Sequence, residues 1–296
     1  MFNRISVKVA VYVNVLLLIV LCIGTFFIIK GQDKSVEAQL FKRGQIEAVL
    51  GAKVTSRILE EAIDNGVLSL KDVFDTEYKE IPGFDPPKYH TKYDVYLDKA
   101  LLEIEDEFLV DESVTAAVAV DINGYLPTHN THYQKPITWD IETDRLGNHT
   151  KRVFNDPIGL KAARNTEVGL LQFYKKGDGE ITWDISSPIY VKAKHWGNFR
   201  IGFSLVKTQA QKMQLRMTTI MVMGVVFLAS CISVFFMVAK ALSPLKDLTA
   251  RAEELAIGEI EEVIPVSSTD EIGKLADVLE RLRISFKKAL EKLNSK

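Results

Sequence analysis

An α+β domain held between two membrane-spanning helices, followed by an all-α coiled-coil segment, is the fold class that this 296-residue sequence predicts. Three observations carry it. Two long stretches, Val9 to Ile29 and Met217 to Ala239, contain no charged residue. Between them the apolar positions recur first at helical and then at strand intervals. After the second stretch they recur at alternating steps of three and four, the seam of a coiled coil.

Each uncharged stretch, at about 1.5 Å of rise per residue, is long enough to cross a hydrocarbon core of ~30 Å. Arg4 and Lys8 precede the first stretch as they would in a secretory signal. The run is longer than a signal's apolar region, and no small-x-small cleavage site precedes Lys30, so an uncleaved anchor is predicted. Lysines and arginines flank both sides of both spans and leave the orientation open. The net charge of −2 offers no basic excess for nucleic acid. Both cysteines, Cys22 and Cys231, fall inside the spans, at different depths. The intervening region therefore has no disulfide framework and no Cys-x-x-Cys-His site for covalent haem.

After the first span, Val36, Leu40, Ile46, Val49, Leu50, Val54, Ile58, Leu59 and Ile63 recur at helical intervals up to the stop signal Asn65-Gly66, predicting a long helix over 32–64. Tyr78 to Tyr93 reads as an ordered loop, and a second helix is predicted near Asp94 to Leu109. Val114 to Asp121 reads as a buried strand, Ile122-Asn123-Gly124 as a turn, and Tyr125 to His129 as its hairpin partner. A loop-rich stretch over 130–169 holds a short helix near Pro157 to Arg164. Three strands follow: Gly169 to Lys175, Glu180 to Val191 after the turn Lys176-Gly177-Asp178-Gly179, and Trp196 to Leu205. The expected result is an antiparallel five-stranded sheet covered on one face by the long helix, with a small cavity on the other.

The run AVAVDINGYLPTHNTHYQKP, with LGNHTKRVFND, GLKAARNTE, SSPIYV and HWGNFRIGFSL in order, resembles the single Cache, PAS-like extracytoplasmic sensor of bacterial methyl-accepting chemotaxis proteins. The resemblance covers most of residues 32–210.

Beyond the second span, Ala241, Leu245, Leu248, Ala252 and Leu255 form one seam, and Ile272, Leu275, Leu279, Leu282, Phe286 and Ala289 a second. Ser243-Pro244 suits a helix start and Gly258 a helix stop. Two such short seams bury themselves most simply as a parallel four-helix bundle built from two chains. The order of Pro244, Gly258, the connector hydrophobics Ile260 and Ile264, and Asp270-Glu271 opening the second helix resembles the HAMP domain. That resemblance implies a homodimer with this segment in the cytoplasm. It sets both termini inside and the α+β domain outside a bacterial inner membrane.

The expected organisation is a cytoplasmic N-terminus at 1–8, spans at 9–29 and 217–239, a sensor domain at 30–216, a HAMP domain at 240–292 and a tail at 293–296. After Leu290 the chain reads EKLNSK, with no signalling hairpin, nucleotide loop or cyclase motif. All five histidines precede the second span. A separate cytoplasmic signalling partner is therefore expected.

His129 and His132, three residues apart, raise the question of a metal, with His149, Asp140 and Asp144 as further candidates. That spacing aims two side chains together only on a helix, which Gly124, Pro127 and Pro136 oppose. No cofactor is expected, and no nucleophile elbow or paired-carboxylate arrangement supports an enzyme. The pattern fits better with a pocket walled by His129, Tyr133, Arg152, Tyr174, Trp183, Asp184, Tyr190, Trp196 and Arg200. Arginine offers a planar fork for a carboxylate. A receptor for a small extracytoplasmic molecule, a carboxylate among the candidates, is the function the sequence predicts. A haem- or redox-sensing protein that uses its HAMP segment for dimerisation is the alternative.

Overall fold

The computed structural model describes residues 5–175, 181–266 and 268–294. The turn expected at Lys176-Gly177-Asp178-Gly179 lies outside the described residues. The chain divides into two compact units, one of which is Ile29–Met217 and the other the remainder.

The unit Ile29–Met217 is built on a four-stranded antiparallel sheet in the order β3-β8-β7-β6, formed by β3 (Val114–Asp121), β6 (Leu170–Lys175), β7 (Ile181–Val191) and β8 (Lys194–Ser204). Helix α1 (Ile5–Asp64) contributes the covering helix. Along β8, Phe199, Ile201 and Phe203 are fully buried. They point to α1 because side chains alternate between the two faces of a strand. The stripe that α1 buries is Leu40, Gly44, Ala48, Gly51, Ala52, Thr55, Leu59 and Ala62. Its small residues are needed for the approach: a Cβ added at Gly51 would lie 2.2 Å from the Phe199 ring. Of the larger positions read from the sequence, Ile46 and Leu50 are exposed instead, at 57% and 53%. Helix–sheet proximity thus selected the glycine and alanine face over the bulkier one.

Three short helices close the open end of this core: α2 (Leu70–Val73), α3 (Asp94–Ala100) and α4 (Leu102–Glu107). The expected loop at 78–93 carries a small ribbon of β1 (Lys79–Ile81) and β2 (Lys88–His90). Ser69 caps α2 in a reciprocal capping box with Asp72, whose carboxyl is held down at about 2 by the Ser69 hydroxyl and then Lys92. Each fully buried ring of the cluster around Tyr93, Trp196, Phe199 and Phe203 contributes about 1.5–3 kcal/mol.

The segment expected to be the hairpin partner of β3 does not pair with it. Strand β4 (Tyr125–Leu126) pairs instead with β5 (Arg152–Val153). The reason is visible at the edge of β3. Its outward amides are already taken by side chains: Ala117 N–H donates to Asn130 Oδ1 at 2.8 Å and Ala119 N–H to Glu105 Oε1 at 3.1 Å. Two amides satisfied in this way are not free to pair with a fifth strand. Helices α5 (Ile141–Gly147) and α6 (Pro157–Ala163) flank β5 in the chain.

In the other unit, residues 5–28 of α1 and residues 218–256 of α7 (Leu205–Ala256) carry the two apolar windows, long and apolar enough to cross a membrane, with none of their length buried. Exposed side chains such as Leu16, Phe27, Leu228 and Phe236 present hydrocarbon outward, as lipid contact requires. α7 runs through Pro244, so the helix start expected at Ser243-Pro244 is absent. The helical turns on both sides tolerate the one amide donor that proline lacks. α7 ends at Ala256, and Gly258 follows at φ +95°, a left-handed conformation suited to glycine. Asp270 accepts from the Ile272 and Gly273 amides at 3.0 and 3.1 Å and opens α8 (Glu271–Asn294).

Candidate ligand-binding cavity

The face of the sheet turned away from α1 carries a different set of residues. Val118 and Val120 of β3 pack with Leu126, Ala163 and Phe154 there. Beside them the strands present Thr182 and Asp184 from β7, Arg200 and Gly202 from β8, and Tyr174 from β6. Strand β5, helix α5 and the His129–Tyr133 segment complete a cavity of about 510 Å³. That volume is within the usual range for small-molecule sites.

Arg200 donates to both carboxylate oxygens of Asp184, at 3.1 and 2.9 Å, in a bidentate pair. The Tyr174 ring lies 5.7 Å from the guanidinium. Burial works against the charge of Arg200, but Asp184 outweighs it and the proton is held more tightly than on a free arginine. Among the described residues, Asp184 is the one aspartate or glutamate lining the cavity, and this pairing consumes it.

Arg152 stands differently. It is 7% exposed and donates to the main-chain oxygens of Arg145 and Asp144, at 3.0 and 3.1 Å, near the end of α5. Its Nε is buried and meets no hydrogen-bond acceptor, and no carboxylate pairs with it among the described residues. Burial, and then the charge of Arg145, lowers its affinity for its proton. Lys88 adds to the positive character of this side. Its ammonium is buried against Asn148 and Thr150, and burial, then Arg152 and Lys151, pushes its pKa down to about 7. Arg145 also lines the cavity and pairs with Glu142 at 2.9 Å. The described lining residues therefore carry three guanidiniums to one carboxylate.

The rings of Tyr133 and His149 stack at 4.7 Å, and the buried His129 ring meets both edge-on at 5.0 and 5.8 Å. The structure thus gathers His129, Tyr133, Arg152, Tyr174, Asp184 and Arg200 around one cavity. It does not bring in the other three expected residues. Trp183 precedes Asp184 in a regular strand, so it faces the α1 side and joins that core. Trp196 is the extra residue of an irregularity where Ile189 pairs with Gly197 and Tyr190 with His195. Its ring packs on Tyr93, and its N–H donates to the Val73 carbonyl at 2.9 Å. Tyr190 lies at the end of β7, 42% exposed beside His195. His132 is exposed on the turn at 131–133, and no group of three His, Cys, Asp or Glu side chains is set to hold a metal among the described residues.

Sequence reading missed Thr115, Arg145, Phe154, Thr182 and Gly202, and weighed His149 only as a metal ligand. The block LGNHTKRVFND held His149 and Phe154 near Arg152, with Arg145 immediately before it, and could have directed attention to them.

Among the connector and second-helix residues, Ile264 is 3% exposed in a cluster with Leu248 and Ala276, with Ile272 and Leu279 packed against it. Ile260 is half-buried, and its carbonyl accepts from Arg283 at 2.6 Å. Glu280 binds Arg283 and accepts from the Ile264 amide, which together hold its carboxyl down at about 2. This clamp tying the connector to α8 was not foreseen. Leu275, Leu282 and Phe286 of the second seam stay exposed, at 44%, 45% and 48%.

The HAMP domain family model matches residues 236–287. A probable methyl-accepting chemotaxis protein of Bacillus thuringiensis subsp. konkukian is 31% identical over 68 residues, 23% of this chain and 10% of that relative. Among solved structures, the ligand-binding domain of the Campylobacter jejuni chemoreceptor Tlp3 in complex with L-valine is similar at 10% identity and a TM-score of 0.30, over 61% of this chain and 66% of that one. The sensory domain of the same chemoreceptor with isoleucine bound is similar at 11% identity and a TM-score of 0.29, over 61% and 65%. The chain thus combines two helices long and apolar enough to cross a membrane, an α+β unit between them, and a segment that matches the HAMP domain.

Proposed function

We propose that the protein is a two-span receptor of an inner membrane that binds a small organic carboxylate in the cavity of its outward-facing α+β unit and passes the signal inward through its HAMP segment. The observation that carries this reading is Arg152, a buried cationic fork in the cavity wall without a paired carboxylate among the described residues. A ligand carboxylate would supply the missing charge. The apolar wall of Val118, Val120, Leu126 and Phe154 would hold its hydrocarbon body.

Transmission follows from connectivity. β8, which carries Arg200 and Gly202, runs into α7 at Leu205 without a linker. α7 then continues through the second apolar window to Ala256. A small displacement of β8 on binding would be delivered to α7 and bias the HAMP packing. In this reading residues 30–216 face outward, and the segments 1–8 and 240–292 face the cytoplasm. The exposed seam of Leu275, Leu282 and Phe286 supports a second copy of the chain as its cover, and the output is a cytoplasmic signalling protein.

Thermal-shift measurements on the full chain in nanodiscs, against a panel of small carboxylates, test the reading. At least one should raise the melting temperature, and Arg152→Gln should weaken its binding by about 10- to 100-fold. A panel with no stabilising member, or equal binding by wild type and Arg152→Gln, would overturn it. Oxidative crosslinking of Leu275→Cys should give dimers in membranes, and a strictly monomeric product would remove the homodimer.

A further inference from the structure

We infer that Thr115 forms a second, neutral subsite in the same cavity, one that takes a hydroxyl group, so that the preferred ligand is a hydroxy-substituted carboxylate rather than a plain fatty acid or a diacid. The inference rests on the carboxylate reading above and adds a specificity residue to it.

The backbone puts Thr115 where a regular strand would not. Val114 pairs with Phe203 and Ala116 with Gly202, so Thr115 is an extra residue in β3. Without that irregularity it would share the face of Ala117 and Ala119, which are buried in the core under α1. A bulge of this kind re-aims a side chain, and here Thr115 lines the cavity beside Ala116 and Val118. Its hydroxyl oxygen is buried and has no hydrogen-bond partner among the described residues. Buried hydroxyls are rarely left so, because losing water without a replacement is unfavourable.

The surroundings define what the hydroxyl would accept. Opposite it stands Gly202, where a Cβ would come within 2.9 Å of Thr115 Oγ1, so the glycine keeps this corner open. The neighbouring polar groups are occupied: Thr182 donates to the Tyr174 carbonyl at 3.2 Å, and Asp184 is held by both nitrogens of the Arg200 fork. Among the described residues, Arg200 is the one cation that these sheet strands give the cavity, and Asp184 pairs with it. Because Asp184 is already neutralised, there is also no free anion for a ligand ammonium among the described lining residues. A hydroxyl, which both donates and accepts, matches the threonine hydroxyl without adding charge.

The test is isothermal titration of the full chain in nanodiscs with butanoate, hexanoate and octanoate and with their ω-hydroxy analogues, on wild type, Thr115→Ser, Thr115→Val and Gly202→Ala. Wild type should bind one hydroxy acid roughly tenfold tighter than its parent acid, the worth of one good hydrogen bond. Thr115→Ser should keep that preference. Thr115→Val should erase it. Gly202→Ala, which fills the same corner from the facing strand, should erase it independently, so the conclusion does not depend on Thr115→Val folding. If the parent acids bind wild type and the hydroxy acids gain nothing, or if the preference survives in both Thr115→Val and Gly202→Ala, the subsite is overturned and the carboxylate reading stands. If no acid of the series binds wild type, both fall.

Discussion

The two faces of the β3-β8-β7-β6 sheet are made from neighbouring residues yet serve opposite ends. On β8, Phe199, Ile201 and Phe203 enter a dry core against α1, while Arg200 and Gly202, between them in sequence, line a charged cavity. On β7 the same alternation separates Trp183 and Ile185 from Thr182 and Asp184. The dry face is close-packed to the point that α1 must present glycine at 44 and 51. The other face leaves a cavity and retains a buried arginine that pairs with no carboxylate among the described residues. A sheet of this kind can keep open space and a buried charge on one face because the stabilising contacts are concentrated on its reverse.

Substitutions can break or sharpen that contrast. On the dry face, Phe199→Ala should cost about 3–5 kcal/mol in urea unfolding, since helix and sheet cannot both close the void. Val118→Ala on the cavity face should cost less than half as much, because its site is already open on one side. Equal losses would erase the distinction between the faces.

Next in size, Asp184→Ala should cost about 3 kcal/mol, because Arg200 is left largely buried without its counter-charge. Replacing both partners by apolar residues should recover much of that loss. Arg152→Gln, by contrast, should lower stability by only about 1 kcal/mol, as it gives up two bonds to main-chain oxygens. A loss as large as that of Asp184→Ala would mean that Arg152 is chiefly a structural tie to α5.

The smallest effect concerns the edge between the faces. Glu105 is fully buried, with one oxygen bound to the Ala119 amide and the other without a partner, and burial raises its pKa well above the ordinary carboxylate value. The folded state then keeps a proton that the unfolded chain releases above about pH 4.3. Stability attributable to this group is therefore greatest in acid and is lost as pH rises through that value towards the folded pKa. Glu105→Gln keeps the acceptor for Ala119 and should remove this decline, a gain on the order of 1 kcal/mol at pH 8 by thermal unfolding. Identical pH profiles for the two proteins would show that Glu105 is not protonated in the fold.

Much of this arrangement could be read from residue order. Val114 to Asp121 alternates into two buried sets, and Pro157 opens a short helix with Asp156 as its cap. Asp184 and Arg200 were both recognisable as polar residues inside strand patterns. Alternation itself also argued against pairing Trp183 with Asp184 in one pocket, a constraint that aromatic content obscured. Three features were not legible. Side chains of Glu105 and Asn130, distant in sequence, cap the edge of β3 and turn β4 to another partner. Extra residues at Thr115 and Trp196 exchange faces without altering composition. The Glu280–Arg283 clamp on the connector depends on a turn whose path follows from packing.

What the sequence by itself determined is the series of elements, the two apolar helices and the paired seams with their glycine stop and aspartate cap, because hydrophobic periodicity and local capping are properties of neighbouring residues. Which residues meet around the cavity was decided only by the tertiary structure. Strand register, bulges and an edge closed by remote side chains set the direction of each side chain, and a shift of one residue carries it from one face of the sheet to the other.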